Sequence, residues 1–381
     1  MYDIGRLGTL LVAEEATFGV TPALSAAMGM RHLEWSPTYN QQNRENSNEK
    51  KPTPGRKARF QRATTAGGTL KAYLRPSGVV GTIPESHLVL KHGFGGAIVG
   101  TLNSTVASAA SATVLTLQAG DGADITVGEF VAVRRAANSN IPEVRMVTAV
   151  ATDTITVSPA LGGTPAAADT VKAGVTYRLT NDLAKSLSVV QYLTNLTRVT
   201  KGFVANEVGV SFDMNQEVTL EIKGPAATQG TPAASPGFTT VGAQNPPSGL
   251  VGGLVINGTP YQFMKADVQI QNSYELLRNY GSAIAESMVR NNFRDITFKL
   301  DARVNEDLSV YTLAENATQF ELCLQTGHTE GNIVGVYAPA AEINGTPDLS
   351  DSDPGVLTYS FAGVLLESAA TGNDELAIGL L

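Results

Sequence analysis

Four histidines are the first candidates for catalysis or metal binding: His32, His87, His92 and His328. None of them has the spacing of a metal site or stands in a recognisable catalytic motif. His87 and His92 are five residues apart in a predicted short helix, so they lie on different helix faces. The glycines of residues 93–96 follow that helix instead of preceding it, which is the wrong order for dinucleotide binding. The sequence also lacks a G-x-S-x-G elbow, a phosphate loop and an H-E-x-x-H motif.

Carboxylates and the single cysteine give no stronger candidate site. Cys323 lies in a strand-like apolar run, and one cysteine excludes both an intramolecular disulfide and a cysteine-based zinc site. Asp348, Asp351 and Asp353 stand near glycines, as in a calcium-binding loop, but the twelve-residue pattern of such a loop is absent. The sequence therefore predicts a protein without enzymatic activity, cofactor or metal. A hydrolase with two carboxylates brought together by the fold stays open as an alternative.

Charge is distributed unevenly along the chain. Residues 304–381 contain no Lys or Arg but twelve carboxylates. Residues 37–62 carry seven cations and two carboxylates in a polar stretch, so the two regions could attract each other. The cations are Arg44, Lys50, Lys51, Arg56, Lys57, Arg59 and Arg62. The basic stretch could instead bind nucleic acid, but the net charge of -8 disfavours binding to phosphate.

Composition and patterning predict a mainly β protein. Only 16% of the 381 residues are charged and 38 are glycine, which is typical of a turn-rich chain. No run of eighteen apolar residues exists and the N-terminus does not read as a secretory signal. We therefore expect no membrane association, no export by that route and folding in a cytoplasm.

Alternating apolar and polar residues predict long strands with one buried face, as over residues 208–214, 296–304 and 320–324. A proline at the start and a glycine at the end predict a short helix over residues 84–93. Residues 39–59 and 224–253 are predicted to be long loops.

Short strands with regular turns over residues 101–177 predict an inserted small β-barrel domain. The expected fold is an antiparallel β-sandwich over residues 1–100 and 178–381, with one short flanking helix and this inserted domain. No fixed-period repeat is seen in the sequence.

The order of several segments resembles the major tail tube proteins of long-tailed, siphovirus-type bacteriophages. The segments are EEATFGVTP at residues 14–22, YLRPSG at 73–78, VTKGFVAN at 199–206, VYAPA at 336–340 and DELAI at 374–378. The similarity covers most of residues 1–100 and 178–381. The inserted residues 101–177 depart from the basic family pattern.

The resemblance implies a structural protein of the virion, made in the cytoplasm of a host bacterium. Six copies would close into a ring whose inner sheets join into one continuous β-barrel, and stacked rings would conduct double-stranded DNA during ejection. Other partners would be the tape measure, tail tip and tail terminator proteins. Residues 40–62, with the seven cations named above, would form an extended inter-subunit arm. The inserted barrel would lie on the outside of the tube.

The resemblance also suggests where the arm docks and which alternatives remain. The candidate acidic docking or lumen surface consists of Glu306, Asp307, Glu342, Asp351 and Asp353. A carbohydrate-binding module is one alternative, although a lone tryptophan and 6% aromatic residues disfavour it. A head–tail connector or another phage structural protein is a second alternative, and the two-carboxylate hydrolase is a third.

Overall fold

The structure is a computed structural model that describes residues 8–44, 60–181, 185–193, 196–231, 234–239, 244–249, 252–303, 309–353, 356–368 and 372–381. Antiparallel strands dominate these residues, so the predicted mainly β fold class is confirmed.

The strands and helices follow one another in a regular order. Before the barrel come β1 (Thr9–Glu14), β2 (Gly29–Met30), β3 (Glu34–Arg44), β4 (Phe60–Tyr73), α1 (His87–Phe94) and β5 (Gly95–Val99). The barrel contains β6 (Asn103–Ala109), β7 (Val114–Leu117), β8 (Phe130–Arg134), β9 (Pro142–Ala151), β10 (Thr154–Ser158) and β11 (Thr170–Ala173). Next are β12 (Val175–Leu179), β13 (Leu187–Tyr192), β14 (Thr197–Phe203), β15 (Glu207–Asp213), β16 (Thr219–Ala226) and β17 (Thr228–Gly230). Then come β18 (Gly252–Ile256), β19 (Thr259–Tyr261), β20 (Phe263–Gln271), β21 (Tyr274–Leu277), β22 (Ser287–Arg290), β23 (Asp295–Arg303) and α2 (Ser309–Glu315). The last strands are β24 (Phe320–Thr326), β25 (Val334–Ile343), β26 (Asp348–Asp353), β27 (Val356–Leu366) and β28 (Ala377–Leu380).

One layer of the sandwich is a run of eight antiparallel strands in the order β3-β4-β16-β15-β20-β23-β27-β26, called here the eight-stranded layer. Its strands alternate in burial because one face covers the core and the other does not. In β15, for example, Val208, Val210 and Phe212 are buried, whereas Gly209 and Ser211 between them are half-buried. We call the side away from the core the polar face.

The second layer consists of two three-stranded groups, β1-β13-β14 and β18-β24-β25. Apolar side chains from both layers form one continuous core. Trp35 of β3 meets the ring of Phe203 in β14 edge-on, with ring centroids 5.5 Å apart. Strand β25 also pairs with β27, so the layers are joined along one side. This arrangement confirms the predicted β-sandwich.

The predicted short helix is present as α1, although it begins at His87 instead of Pro84. It ends at Phe94 and is capped by Gly95, whose φ of 98° is a left-handed conformation that glycine adopts without strain. Leu90 and Phe94 of α1 are buried in the core. A second helix, α2, was not predicted because its seven residues are too short for a clear apolar period.

The predicted small β-barrel is also present. Its six strands close in the order β10-β7-β6-β11-β8-β9 around a separate apolar core. The barrel strands end at Ala173, and β12 then pairs with β5 and β28 of the sandwich. The predicted limit at residue 177 therefore falls inside β12.

The barrel packs against the sandwich through a shared apolar cluster. Phe130 of β8 is fully buried there and lies over two glycines of the sandwich. A Cβ added at Gly379 would lie 2.6 Å from the Phe130 ring, and one added at Gly335 would lie 2.6 Å from Val144. Gln325 adds polar contacts, since its side chain accepts a hydrogen bond from the Val144 N–H at 2.8 Å. Close packing therefore fixes the barrel on the outer side of β24, β25 and β28.

Two predictions about loops were wrong in part. Residues 39–44 were predicted to be loop but belong to β3, which pairs with β4 as far as Arg44 opposite Phe60. Residues 39–44 have no apolar period in the sequence, so the backbone pairing with β4 is what identifies them as a strand. Residues 224–253 were also predicted to be loop, but residues 224–226 are the end of β16 and residues 228–230 form β17. Residues 45–59 lie outside the described part of the chain.

Candidate functional site

The polar face carries an ordered array of charged side chains. Residues directly opposite each other in antiparallel strands project to the same side, so the register defines rows across the layer. One row runs from Glu34 through Lys71, Glu221, Gln269 and Thr297. The carboxylates of this face are Glu34, Glu207, Asp213, Glu221, Asp267, Asp295, Asp301 and Asp348, and its cations are Lys71, Lys223, Lys265, Lys299 and Arg303.

Several cations of the polar face are held by carboxylates of the same face. The distance from Lys223 Nζ to Glu221 Oε1 is 2.7 Å, and Lys71 Nζ lies 3.6 Å from the other oxygen of Glu221. Lys265 Nζ lies 3.0 Å from Asp267. Partial burial opposes ionisation of Glu221, but the hydrogen bonds and charges of Lys223 and Lys71 outweigh it and lower its pKa. The face is therefore mixed in charge, with more carboxylates than cations.

The eight-stranded layer has two free edges within the described residues. β3 pairs only with β4, and β26 pairs only with β27. The sequence of β26 is DLSDSD, with three aspartates and no cation, whereas β3 ends at Arg44. Unpaired strand edges are sites where another chain can add its own strand. The two edges of this layer are therefore candidate contact surfaces, β26 with a net negative charge and β3 with none.

Two of the seven predicted arm residues lie in the β3–β4 hairpin. Arg44 ends β3 and Arg62 lies in β4, so the hairpin brings the two ends of the predicted arm together. Beyond Ala66 of β4 the hairpin extends past its neighbour β16, since the β16 pairing stops there. Five predicted arm residues lie outside the described part of the chain: Lys50, Lys51, Arg56, Lys57 and Arg59.

The predicted acidic residues are not all brought together. Glu342 is half-buried on β25 and pairs with Val364, which places it at the margin of the polar face where the two layers join. Asp351 and Asp353 belong to β26. Glu306 and Asp307 lie outside the described residues. The remaining charges of the polar face were missed because strand register, which the sequence does not give, places them side by side.

A hairpin formed by β21 and β22 carries an exposed apolar surface that sequence reasoning also missed. Tyr280 and Phe293 are fully or almost fully exposed, and Leu277 is 44% exposed. The hairpin touches the end of β4, where the Thr64 N–H donates to the Ala283 carbonyl at 2.9 Å. Exposed aromatic side chains of this kind often mark contact surfaces between proteins.

A buried carboxylate holds the turn of residues 14–22 in place. Glu15 is 2% exposed and accepts four hydrogen bonds. The backbone N–H groups of Gly19 and Gly202 donate at 2.7 and 2.9 Å, and the hydroxyls of Ser186 and Ser188 donate at 2.5 and 2.6 Å. Four donors compensate the desolvation of this carboxylate, so its role is to fix the turn against β13 and β14.

Glu14 and His92 form the best-defined cluster of titratable groups. The His92 Nε2 atom lies 3.0 Å from Glu14, and Lys185 and Lys91 donate to the same carboxylate at 2.6 and 3.2 Å. Burial disfavours the charged imidazole and lowers the pKa of His92 to about 4, despite the nearby carboxylate. Burial of Glu14 is outweighed by the lysines and His92, which lower its pKa to about 2. The pair therefore consists of a neutral histidine and an ionised glutamate. Because no hydroxyl or thiol nucleophile is among these contacts, the pair serves packing and not catalysis.

Cys323 and the cleft between barrel and sandwich are two further candidates for chemistry. Burial raises the pKa of Cys323 to about 11, which keeps the thiol protonated. A cleft of about 720 Å³ between barrel and sandwich contains one carboxylate, Asp374, among its lining residues, so it does not offer the pair that a glycosidase needs. Among the described residues no group of three His, Cys, Asp or Glu side chains could hold a metal ion. None of the helices in the described ranges is long and apolar enough to cross a membrane.

The chain matches a known protein family over most of its length. A family model described as phage tail tube protein matches residues 5–363, a range that contains the eight-stranded layer as far as β27, both helices and the barrel. No curated protein matches the chain.

Proposed function

Because the chain belongs to the phage tail tube protein family, we propose that copies of it close into rings and that these rings stack into the tube of a siphovirus-type tail. Family membership makes it a structural protein of the phage virion. The observation that carries the ring proposal is the eight-stranded layer, whose two outer strands each have a free edge within the described residues. Closing the layers of neighbouring copies into one continuous β-barrel removes those edges. Six copies in a ring, as the resemblance implies, are the starting hypothesis.

The polar face would line the channel through which double-stranded DNA passes. Its carboxylates outnumber its cations, and Lys71, Lys223 and Lys265 already contact carboxylates of the same face. Few cations would then be left to bind phosphates, and the excess of carboxylates would repel them. A lumen of this kind lets DNA slide without holding it.

The arm would connect neighbouring copies. The β3–β4 hairpin extends past β16 and carries the basic residues 45–59 at its end. An acidic surface on the next copy would receive this arm. The candidate residues of that surface are Glu306, Asp307, Glu342, Asp351 and Asp353. Support for this pairing comes from charge alone, since residues 304–381 contain no cation.

The barrel would decorate the outside of the tube as a separate inserted domain. It packs on β24, β25 and β28, on the side of the second layer that faces away from the core. The polar face lies on the opposite layer. If the polar face lines the channel, the barrel therefore points outward.

The proposed partners follow from the tube itself. Assembly would begin on a tail tip complex, follow a tape measure protein and end at a tail terminator, in the cytoplasm of the host bacterium. Neither a membrane nor a cofactor is part of this scheme.

Electron microscopy of the purified chain tests the proposal. We expect concentrated protein to form rings and hollow tubes of uniform diameter. Replacing residues 45–59 by Asn-Gly should leave the hairpin intact, because Arg44 and Phe60 already pair, but should abolish tubes. As a control, Glu45→Gln with Glu49→Gln keeps the length and all cations of the arm and should still form tubes. Wild-type protein that stays monomeric at every concentration, also with a crowding agent, would contradict the proposal.

A further inference from the structure

We propose that each chain supplies two equivalent structural units to the ring, that β26 of one copy pairs antiparallel with β3 of the next, and that three copies close the ring. This inference rests on the proposed tube function and changes its starting hypothesis of six copies. It names the contact surface between copies and its partner, a second copy of the same chain.

The first argument is a repeated order of elements. Both units contain a strand, a long hairpin, a short helix, two second-layer strands and a second hairpin. In the first unit these are β1, β3–β4, α1, β13–β14 and β15–β16. In the second unit they are β18, β20–β23, α2, β24–β25 and β26–β27. The barrel is inserted after α1 of the first unit alone, which explains why no fixed period is visible in the sequence.

The second argument is that the pairings repeat as well as the order. In the first unit β1 pairs with β13, β13 with β14, β4 with β16 and β16 with β15. The second unit has the matching pairs β18 with β24, β24 with β25, β23 with β27 and β27 with β26. All of these pairs are antiparallel. The eight-stranded layer is thus two four-stranded groups placed side by side in the same direction.

The junction between the two groups is the template for the contact between chains. β15, the last strand of the first group, pairs with β20, the first strand of the second, over seven residue pairs from Glu207 opposite Gln271 to Asp213 opposite Lys265. The equivalent of β15 is β26 and the equivalent of β20 is β3. Repeating the internal junction between copies therefore joins β26 of one chain to β3 of the next.

The two free edges fit this pairing in direction. In the template the N-terminal end of β15 faces the C-terminal end of β20. The same direction sets Asp348 at the start of β26 against the end of β3, where Arg44 lies. Leu349 of β26 and Tyr39 of β3 are 52% and 48% exposed in the single chain, so both strands are accessible to a partner.

The number of copies follows from the width of the layer. Eight strands at about 4.8 Å cover roughly 38 Å of circumference, so two, three and six copies give backbone diameters of about 24, 37 and 73 Å before strand tilt widens them. The major and minor grooves of DNA have a summed depth of roughly 16 Å, and the duplex is wider than this sum. Two copies leave too little room once charged side chains line both walls. Three copies form the smallest ring that admits a duplex. A ring of six copies would be so wide that its wall would not keep the duplex on the axis.

Disulfide cross-linking of assembled tubes tests this arrangement. Leu349→Cys is combined in turn with a cysteine at each of residues 38–43, and the native Cys323 is buried and does not interfere. We expect at least one pair to link neighbouring copies, and denaturing gels without reductant should show a ladder that ends at three chains of 39.9 kDa each. As a control, Leu349→Cys with Val127→Cys, which lies on the barrel and is 51% exposed, should stay unlinked.

Other outcomes separate this inference from the proposed function. A ladder that ends at six chains would overturn the copy number. Tubes without any cross-link between these strands, or with links to Val127→Cys, would overturn the pairing of β26 with β3 while the tube function stands. Wild-type protein that forms no tubes would overturn both.

Discussion

Removing the Phe130 ring should strongly destabilise the docking of the barrel, and the effect should depend on Gly379. Phe130 is fully buried, so Phe130→Ala should lower the free energy of unfolding by about 3–5 kcal/mol. Gly379→Ala should lower it by about 1–3 kcal/mol in the wild-type background, because its Cβ would lie 2.6 Å from that ring. In the Phe130→Ala background the ring contacts at 2.6 Å are gone and the Cβ of residue 130, 2.8 Å away, remains, so Gly379→Ala should cost less than in the wild type.

A double-mutant cycle by guanidinium unfolding, followed by far-ultraviolet circular dichroism, measures this coupling. We expect the double variant to be about 0.5–2 kcal/mol more stable than additivity of the two single variants predicts, because only the ring part of the close contact is removed. Gly253→Ala is the control, since nothing lies within 4 Å of a Cβ at this strand glycine and its effect should be small. Additive effects of Phe130→Ala and Gly379→Ala would refute the packing argument.

Two further predictions concern buried polar groups. Because the pKa of His92 is about 4 in the folded chain and about 6.5 when unfolded, the unfolded state binds the extra proton between these values and stability falls as the pH drops through that window. Between pH 7 and pH 5, the free energy of unfolding measured with urea should fall by about 2 kcal/mol less in His92→Gln than in the wild type. Equal decreases in the two proteins would refute the lowered pKa of His92. Glu15→Gln places an amide N–H₂ group among four donors and should cost about 2–3 kcal/mol in the same assay at pH 7, whereas no change would contradict the hydrogen-bond network.

Much of the fold could be predicted because burial alternates along single strands. The stretch around Phe212 predicts a strand with one buried face, and β15 is such a strand. The barrel was predicted from turn spacing, and the helix from its proline and glycine. Residues 39–44 have no apolar period that marks them as a strand, since residues 39–41 are exposed on both sides of the hairpin and the residues after them are polar in sequence.

The candidate site was harder to predict because it depends on register and topology. Nothing in the sequence shows that Lys71 lies opposite Glu221, since the two residues are far apart in the chain and meet only through the pairing of β4 with β16. The repeat of two units is hidden in the same way. The inserted barrel shifts the spacing of the first unit, and backbone pairing tolerates different side chains in equivalent strands.

Cryo-electron microscopy of tubes assembled from the purified full chain tests the central claim most directly. The account predicts rings with a continuous inner β-barrel, lined by the polar face, with β26 of each copy paired to β3 of the next and the small barrels outside. A channel lined by the small barrels, or a polar face turned away from the bore, would contradict it.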